Sequence, residues 1–396
     1  MKDSADKKPE GFSLHRGRIN TLEPILFLVF FLAIFAVFCS VMGLGNFINT
    51  LMNTAYGLLM DTVLYLTAIA VLSGALSSLF SEFGVVALLH RLISPLMRFV
   101  YRLPGAGVLA VISSYLSDNP AILPLAKQEG FRRYFEPWEI PALTNLGTSF
   151  GMGLVITLYV CGLKGGGSPT YFLAAFVGNI GAVAGSIVSV RLMLLLTRKA
   201  LHVSPEKKEP DKAGVWSGQY YRRNGNAGTR FLNAMIDGGK AGVQMGISIV
   251  PGVLLICSFV MLLTNGMPEG GYTGAAGEGI ALLPWIGNKL GFIIRPLFGF
   301  GYSDAIAVPI TAIGSGGAAI GLIPSLLSAG KATAGDVAVF TAMSMCWSGY
   351  LSTHTAMMDT LGYPQLTGKA VLAHTAGGLV SGIFAHLLYA GISLIF

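Results

Sequence analysis

LPGAGVLAVISSYLSDNPAILPLAKQEG, residues 103–130, is apolar from Leu103 to Lys127 except at its middle, where Ser113, Ser114, Ser117, Asp118, Asn119 and Pro120 fall. A single helix through lipid would present those groups to hydrocarbon, where each unsatisfied polar group is costly. Two half-helices meeting at a polar tip escape the cost, because non-helical backbone at membrane depth is tolerated where protein or water surrounds it. The stretch is therefore expected to fold back as a re-entrant helical hairpin.

The rest of the 396-residue chain supplies the lipid-facing context. Hydrophobic residues make up 53% and charged residues only 11%, whereas soluble domains carry roughly 25% charged residues. That supply cannot cover a soluble surface, and the class is a polytopic membrane protein. The net charge of +7 sits beside apolar segments without an interleaved aromatic face, so it speaks for membrane orientation and not for nucleic acid. Cys39, Cys161, Cys257 and Cys346 lack the close spacing of a zinc or disulfide framework and read as buried free thiols. The first 20 residues are polar and the apolar run Pro24–Leu44 is long enough to span, so it reads as a retained anchor.

Spans are expected at 24–44, 55–80, 139–163, 169–197, 244–264, 336–358 and 370–395. Residues 84–102 and 281–297 intersperse basic residues among apolar ones, as interfacial helices do. A second broken stretch, 300–329, is interrupted by Thr311, Gly314, Ser315, Gly316 and Gly317. The organisation reads as a cytoplasmic arm 1–20, a first helix with an outer loop 21–54, repeat one over 55–197, a basic linker 198–230 and repeat two over 231–396. An offset of 197 residues lays Pro104 on Gly301, Asp118 on Ser315 and Glu139 on Asp336. Four crossings separate the basic arm from the basic linker, which puts both inside and makes the repeats inverted. The expected fold is all-α: about seven transmembrane helices plus two re-entrant hairpins, N-terminus cytoplasmic, in a bacterial inner membrane. Inverted repeats with broken helices characterise secondary transporters.

Three stretches carry a resemblance: RLPGAGVLAVISSYLSDNPAILPLA at 102–126, FLNAMIDGGKAGVQMGISIVPGVLLICSFVMLL at 231–263 and AVPITAIGSGGAAIGLIPSLLSAGKATAGDVAVFTAM at 307–343. With this order of elements the chain resembles the Gate or nucleoside-recognition superfamily, and within it the YjiH-like group. Concentrative nucleoside transporters, the membrane part of the ferrous iron transporter and spore-maturation-type proteins are its more distant members. The resemblance implies a permease whose hairpin tips and adjacent unwound helices hold a small solute. The chain departs from concentrative nucleoside transporters in lacking glutamate-rich tips.

Asp118 and Asn119, between Ser117 and Pro120, are the sharpest candidates, since an intramembrane carboxylate is by default functional. Asp118 also suits the cap of the second half-helix, with Pro near its start. At the second tip, Gly314, Ser315 and Gly316 allow close backbone approach to a ligand or tight packing of the apex. Asn145, Thr148 and Ser149 share a helical face, and Ser344, Ser348 and Ser352 answer from the sixth span; such faces line a path or glue helices together, and Ser114 in the polar middle of the first hairpin is a further solute-binding candidate. Asp61 and His354 are candidates for ion or proton coupling, His354 near a span end and Asp61 near the outer end of the second span. Ser303 and Asp304 read as a capping pair, and His374 as a weaker candidate. The run Gly147–Gly151 fits G-x-S-x-G, but that motif needs a strand before a helix, so an enzyme is not expected. No cofactor is expected beyond Na⁺ or H⁺ as coupling ion. The expected partners are the bilayer, a small solute and copies of the same chain, with a non-transporting scaffold or sensor that docks a protein on the linker as the rival reading.

Overall fold

A computed structural model describes residues 22–127, 129–132, 134–163, 168–201 and 223–395, and they are all-helical or irregular, with no strand among them. The basic arm and residues 202–222 of the linker lie outside the described residues. Six helices are long and apolar enough to cross a membrane: Leu22–Met42, Leu44–Glu82, Ile140–Cys161, Tyr171–Ala200, Ala227–Thr264 and Pro364–Ser393. The pair Gly291–Phe298 and Ser303–Gly314, bent by 77°, makes a seventh if taken as one span. The chain is a multi-pass membrane protein.

Two features depart from the sequence reading. Residues 45–54 are helix instead of an outer loop, because Phe47, Thr50 and Thr54 form one buried stripe at helical spacing. The segment expected to span 336–358 is present as two helices, Ala334–Trp347 and Tyr350–Leu361, separated by Ser348 and Gly349.

The frame is a pair of very long helices, 39 and 38 residues, running antiparallel. Small residues let them touch: a Cβ on Gly242 would stand 2.5 Å from Val71 Cα, and one on Gly246 would meet Thr67 at the same distance. Each helix contains a π-helical turn, Leu58–Val63 in one and Gly252–Cys257 in the other. One end of the pair is pinned by Glu82, which accepts from Arg230 Nε and Arg223 Nη1 at 2.7 Å each. The other end is closed by the loop after Thr264, where Asn53 donates to the Gly274 carbonyl at 2.8 Å.

Glu278 is the centre of that closure. Its carboxylate accepts from Thr273 N–H at 2.9 Å, Thr273 Oγ1 at 2.6 Å, Gly274 N–H at 3.0 Å and Thr50 Oγ1 at 3.2 Å. Burial alone would raise its pKa, but the donors of Thr273 and Gly274 outweigh burial and hold it below the ordinary glutamate value. A depressed folded pKa means a contribution fully present above the unfolded value, near pH 4.3, and lost as pH falls through the lower folded one. Limited proteolysis should therefore find the 265–281 loop protected at neutral pH and cut readily only below about pH 4. Glu278→Gln should be cut at neutral pH; equal protection of variant and wild type would refute the clamp.

Val85–Tyr101 is the expected amphipathic helix, with Leu88, Leu92, Leu96 and Phe99 exposed along one face and His90, Met97 and Tyr101 buried on the other. Arg102, at φ 60°, ends it. Arg191 then caps its last carbonyls, donating to Val100 O at 2.7 Å and Phe99 O at 3.0 Å.

The two halves repeat one order: long helix, amphipathic helix, broken stretch, broken segment, unbroken helix. The unbroken helices Ser168–Ala200 and Thr367–Ser393 pack through Gly181, Gly185 and Ser381; a Cβ on Gly181 would stand 2.7 Å from the Ser381 carbonyl. The broken elements lie innermost. In Ile140–Cys161, 83% of the apolar window is buried against 11% in Leu22–Met42, which is where freed backbone groups can find protein partners. Of the cysteines, Cys257 and Cys346 are buried but Cys39 and Cys161 only half-buried, and all four are free.

Candidate functional site

Four helix breaks meet in this interior. The first follows Gly107–Leu116, where Ser117 leaves the helix and Asp118 is extended at φ −147°. Asp118 Oδ1 accepts from Asn119 N–H at 2.7 Å and Pro120 occupies the start of the next turn, so the expected cap is formed. The second break, Ser149–Met152, divides Ile140–Thr148 from Gly153–Cys161 and carries Met152 in the left-handed region at φ 56°. Only a packed environment holds a methionine there.

At the third break, Ser315 is extended at φ −163° between Ala307–Gly314 and Gly316–Gly321, and its Oγ accepts from Ala318 N–H at 3.2 Å. Asp118 and Ser315, equated by the 197-residue offset, thus have the same conformation and the same capping role. The fourth break, Ser348–Gly349, turns through Gly349 at φ 70°, whose N–H donates to the Ala312 carbonyl at 2.8 Å.

Ser348 joins them. Asn119 Nδ2 donates to its carbonyl at 2.5 Å. A Cβ on Gly151 would stand 3.2 Å from Ser348 Oγ and collide with the Asn119 amide, and a Cβ on Gly316 would stand 2.8 Å from both Ser348 Oγ and the Ser344 carbonyl. The first tip therefore touches the breaks of both inner segments, and the second tip touches the same serine.

Buried polar atoms without a protein partner occur beside these breaks: Ser114 Oγ, Asn119 Oδ1, Asn145 Oδ1, Thr148 Oγ1 and Ser344 Oγ, each within four residues of one. Each such group costs about 1–3 kcal/mol when left unpaired, and native interiors contain few. A polar ligand that can both donate and accept would relieve several at once.

The candidates from sequence divide accordingly. Asn119 and Ser348 meet directly and the Ser344 carbonyl reaches them at Gly316, whereas Ser114 lies beside Gly147, Asn145 donates to Ser189 Oγ and the Ala370 carbonyl, and Thr148 is buried in the turn before the second break. Ser149 opens that break but its Oγ is used by the Asn145 carbonyl at 2.8 Å. Gly314, Ser315 and Gly316 form the second apex, with Gly316 packed tightly on Ser344 and Ser348. Ser117 is exposed and Asp118 half-buried. Asp61 lies elsewhere, in the π-helical turn, on a cavity of about 810 Å³ shared with Tyr65, Tyr159, Tyr171 and Ser328.

Two expectations are corrected. His354, read as lying near a span end, is fully buried, because the bend at Gly349 turns Tyr350, His354, Met357, Met358 and Leu361 inward as one stripe. Asp304 does not cap a helix; it pairs with Lys331 Nζ at 2.5 Å, tying together the two legs of the second broken stretch. The G-x-S-x-G match at Gly147–Gly151 lies at the end of a helix, with no strand among the described residues before it.

Sequence reasoning missed Ser189 and undervalued His374. Ser189 continues the stripe of Gly181 and Gly185 by one helical turn, and that spacing is the signal that places it inward. His374 Nε2 lies 2.6 Å from the Cys346 carbonyl and its Nδ1 lies 2.9 Å from Ser189 Oγ.

No protein-family model matches the chain, and no curated protein matches it. Solved structures do. CNTnw, a concentrative nucleoside transporter, in an inward-facing substrate-bound state, superposes with a TM-score of 0.52 at 16% identity, over 83% of this chain and 76% of that one. A variant of CNTnw in its intermediate 1 state gives 0.50 at 16% identity over 93% of this chain and 85% of that one. The chain thus shares the fold of a membrane transporter, at a sequence distance that leaves its chemistry to its own residues.

Proposed function

We propose that the protein is a secondary transporter of a small polar, nucleoside-like solute, bound where the four helix breaks cross and moved by alternating access with H⁺ or Na⁺ coupling. The observation that carries this reading is the set of buried, unpartnered hydroxyl and amide atoms beside the breaks. Hydroxyl and amide groups that glue helices together would be paired with one another, so unpaired ones favour a solute path. The repeated order of elements supports two inverted halves with re-entrant hairpins, and the basic arm and linker support an inner-membrane protein with its N-terminus inside.

Serine, threonine and asparagine side chains suit a neutral solute with hydroxyl, amide or ring-nitrogen groups, as a nucleoside has. They offer few charges to a phosphate or a carboxylate. Asp118 brings the only carboxylate of the first tip and, already satisfied by Asn119 N–H through one oxygen, retains the other for a cation or a solute hydroxyl.

Proteoliposomes tested with uridine, adenosine and neutral amino acids, with and without H⁺ and Na⁺ gradients, decide the matter. Gradient-dependent accumulation of a nucleoside is expected. Asp118→Asn keeps a competent cap, so its expected loss of driven accumulation would isolate the charge, while Asp304→Asn should retain transport. No flux of any probe would overturn the reading.

A further inference from the structure

We propose that the buried pair His354 and His374 is the site that takes up the coupling proton, and that it acts on the solute site through Ser189 and Asn145. The inference rests on the transporter reading and names its coupling ion.

The hydrogen positions around His374 are fixed by what its neighbours can do. The Cys346 carbonyl only accepts, so Nε2 carries hydrogen at 2.6 Å. Nδ1 is then the lone-pair nitrogen and accepts from Ser189 Oγ–H at 2.9 Å. Ser189 Oγ in turn accepts from Asn145 Nδ2 at 3.0 Å, and the same amide donates to the Ala370 carbonyl at 3.0 Å. The chain of bonds is closed except at one point: Asn145 Oδ1 is a buried acceptor with no donor.

This chain touches two helix breaks. Cys346 lies in the last turn before Ser348–Gly349. Asn145 lies in the last turn before Ser149–Met152, and its carbonyl holds Ser149 Oγ at 2.8 Å. His354 stacks on His374 with ring centroids 4.6 Å apart, is wholly buried, and neither of its nitrogens makes a hydrogen bond of good geometry. Two imidazolium rings that close in a buried place repel strongly, so the pair holds one proton at a time.

A proton added at His374 Nδ1 converts that atom from acceptor to donor. Ser189 must then accept from it, and the serine hydroxyl hydrogen needs a new acceptor. Asn145 Oδ1 is the orphan within the chain that can take it, once the amide turns over. Turning the amide breaks its bonds to Ser189 and to the Ala370 carbonyl, which loosens the turn that leads into the Ser149–Met152 break. One proton thereby reaches the backbone that lines the solute.

The charge has no counter-ion. Cys346 faces the pair from Ala334–Trp347, Tyr350 from its own helix and Thr375 from Thr367–Ser393; the 140–148 and 168–200 helices present Thr144, Asn145 and Ser189, all uncharged. Among the described residues, no carboxylate and no other cation acts on either ring. An uncompensated buried charge is tolerable only when water reaches the pair, so the proton arrives with water whether or not a solute is bound.

Solid-state NMR of ¹⁵N-histidine-labelled protein in lipid tests the proton site without any solute. Between about pH 8 and pH 5, the pair should yield one imidazolium, assigned by difference against His354→Gln and His374→Gln. Ser189→Ala, which leaves both rings in place, should move its midpoint without removing the signal. Rings that stay neutral throughout, or two independent imidazolium signals, would overturn the proposal. With uridine as probe, both histidine variants should lose acid-driven accumulation by at least about tenfold yet keep uridine counterflow within about twofold of wild type. Undiminished driven accumulation in the variants would refute the coupling role. Absence of uridine flux in the wild type would refute the nucleoside reading, and the NMR result would still decide the proton site.

Discussion

Asn119→Ala is expected to lower solute accumulation at least about tenfold while leaving the protein folded and inserted. Its amide donates to the Ser348 carbonyl at 2.5 Å and presses its oxygen against Gly151, so one side chain holds the first tip against the breaks of both inner segments. Alanine leaves the Ser348 carbonyl buried and unpaired, at about 1–3 kcal/mol, and about 1.4 kcal/mol suffices for a tenfold change in occupancy. The surrounding helices retain their own packing, so the thermal midpoint in detergent should move only slightly. Normal accumulation by Asn119→Ala at normal protein levels would show that the tip does not form the site.

Gly242→Leu should prevent accumulation of folded protein altogether. Its first side-chain atom would enter the space of the Ala70 backbone and of Val71 Cα, and a backbone in the middle of a long helix cannot step aside. Overpacking usually costs about 1–3 kcal/mol and sometimes more; this case belongs at the upper end because the clash splits the helix pair that frames the fold. Gly239→Leu is the internal control. Three positions earlier on the same helix, its Cβ would meet only Val71 Cγ1 at 3.5 Å, an ordinary contact. Size-exclusion profiles of the two variants should differ sharply, and equal behaviour would refute the packing of the pair.

The elements that could be read from sequence are those whose polarity conflicts with their surroundings. Ser117–Pro120 inside an apolar run had one low-cost solution, a break, and the break is there. Basic residues among leucines marked Val85–Tyr101 equally well. The breaks at Ser149–Met152 and Ser348–Gly349 carried no such conflict, since serine and glycine are ordinary in packed membrane helices. Their cause is tertiary: the Asn119 amide occupies the space beside Gly151, and the Ala312 carbonyl takes the Gly349 N–H. His354 read as lying near a span end because the segment 336–358 reads as one continuous helix; the bend that buries it accompanies the same distant contact. Asp61 was legible as a carboxylate at membrane depth, but its position on a separate cavity depends on a π-helical turn that has no local sequence code. Ser114, Asn119, Asn145, Thr148, Ser344 and Ser348 are all buried, and for those on the inner segments helical spacing does reveal the inward face.

The most direct measurement is an electron cryomicroscopy structure in lipid nanodiscs saturated with the nucleoside that the protein accumulates. The crossing of helix breaks should hold the solute within hydrogen-bond distance of Asn119 and of at least two of Ser114, Thr148 and Ser344. A solute seated instead beside Asp61 and Tyr159, with those four side chains still enclosed by protein alone, would contradict the account.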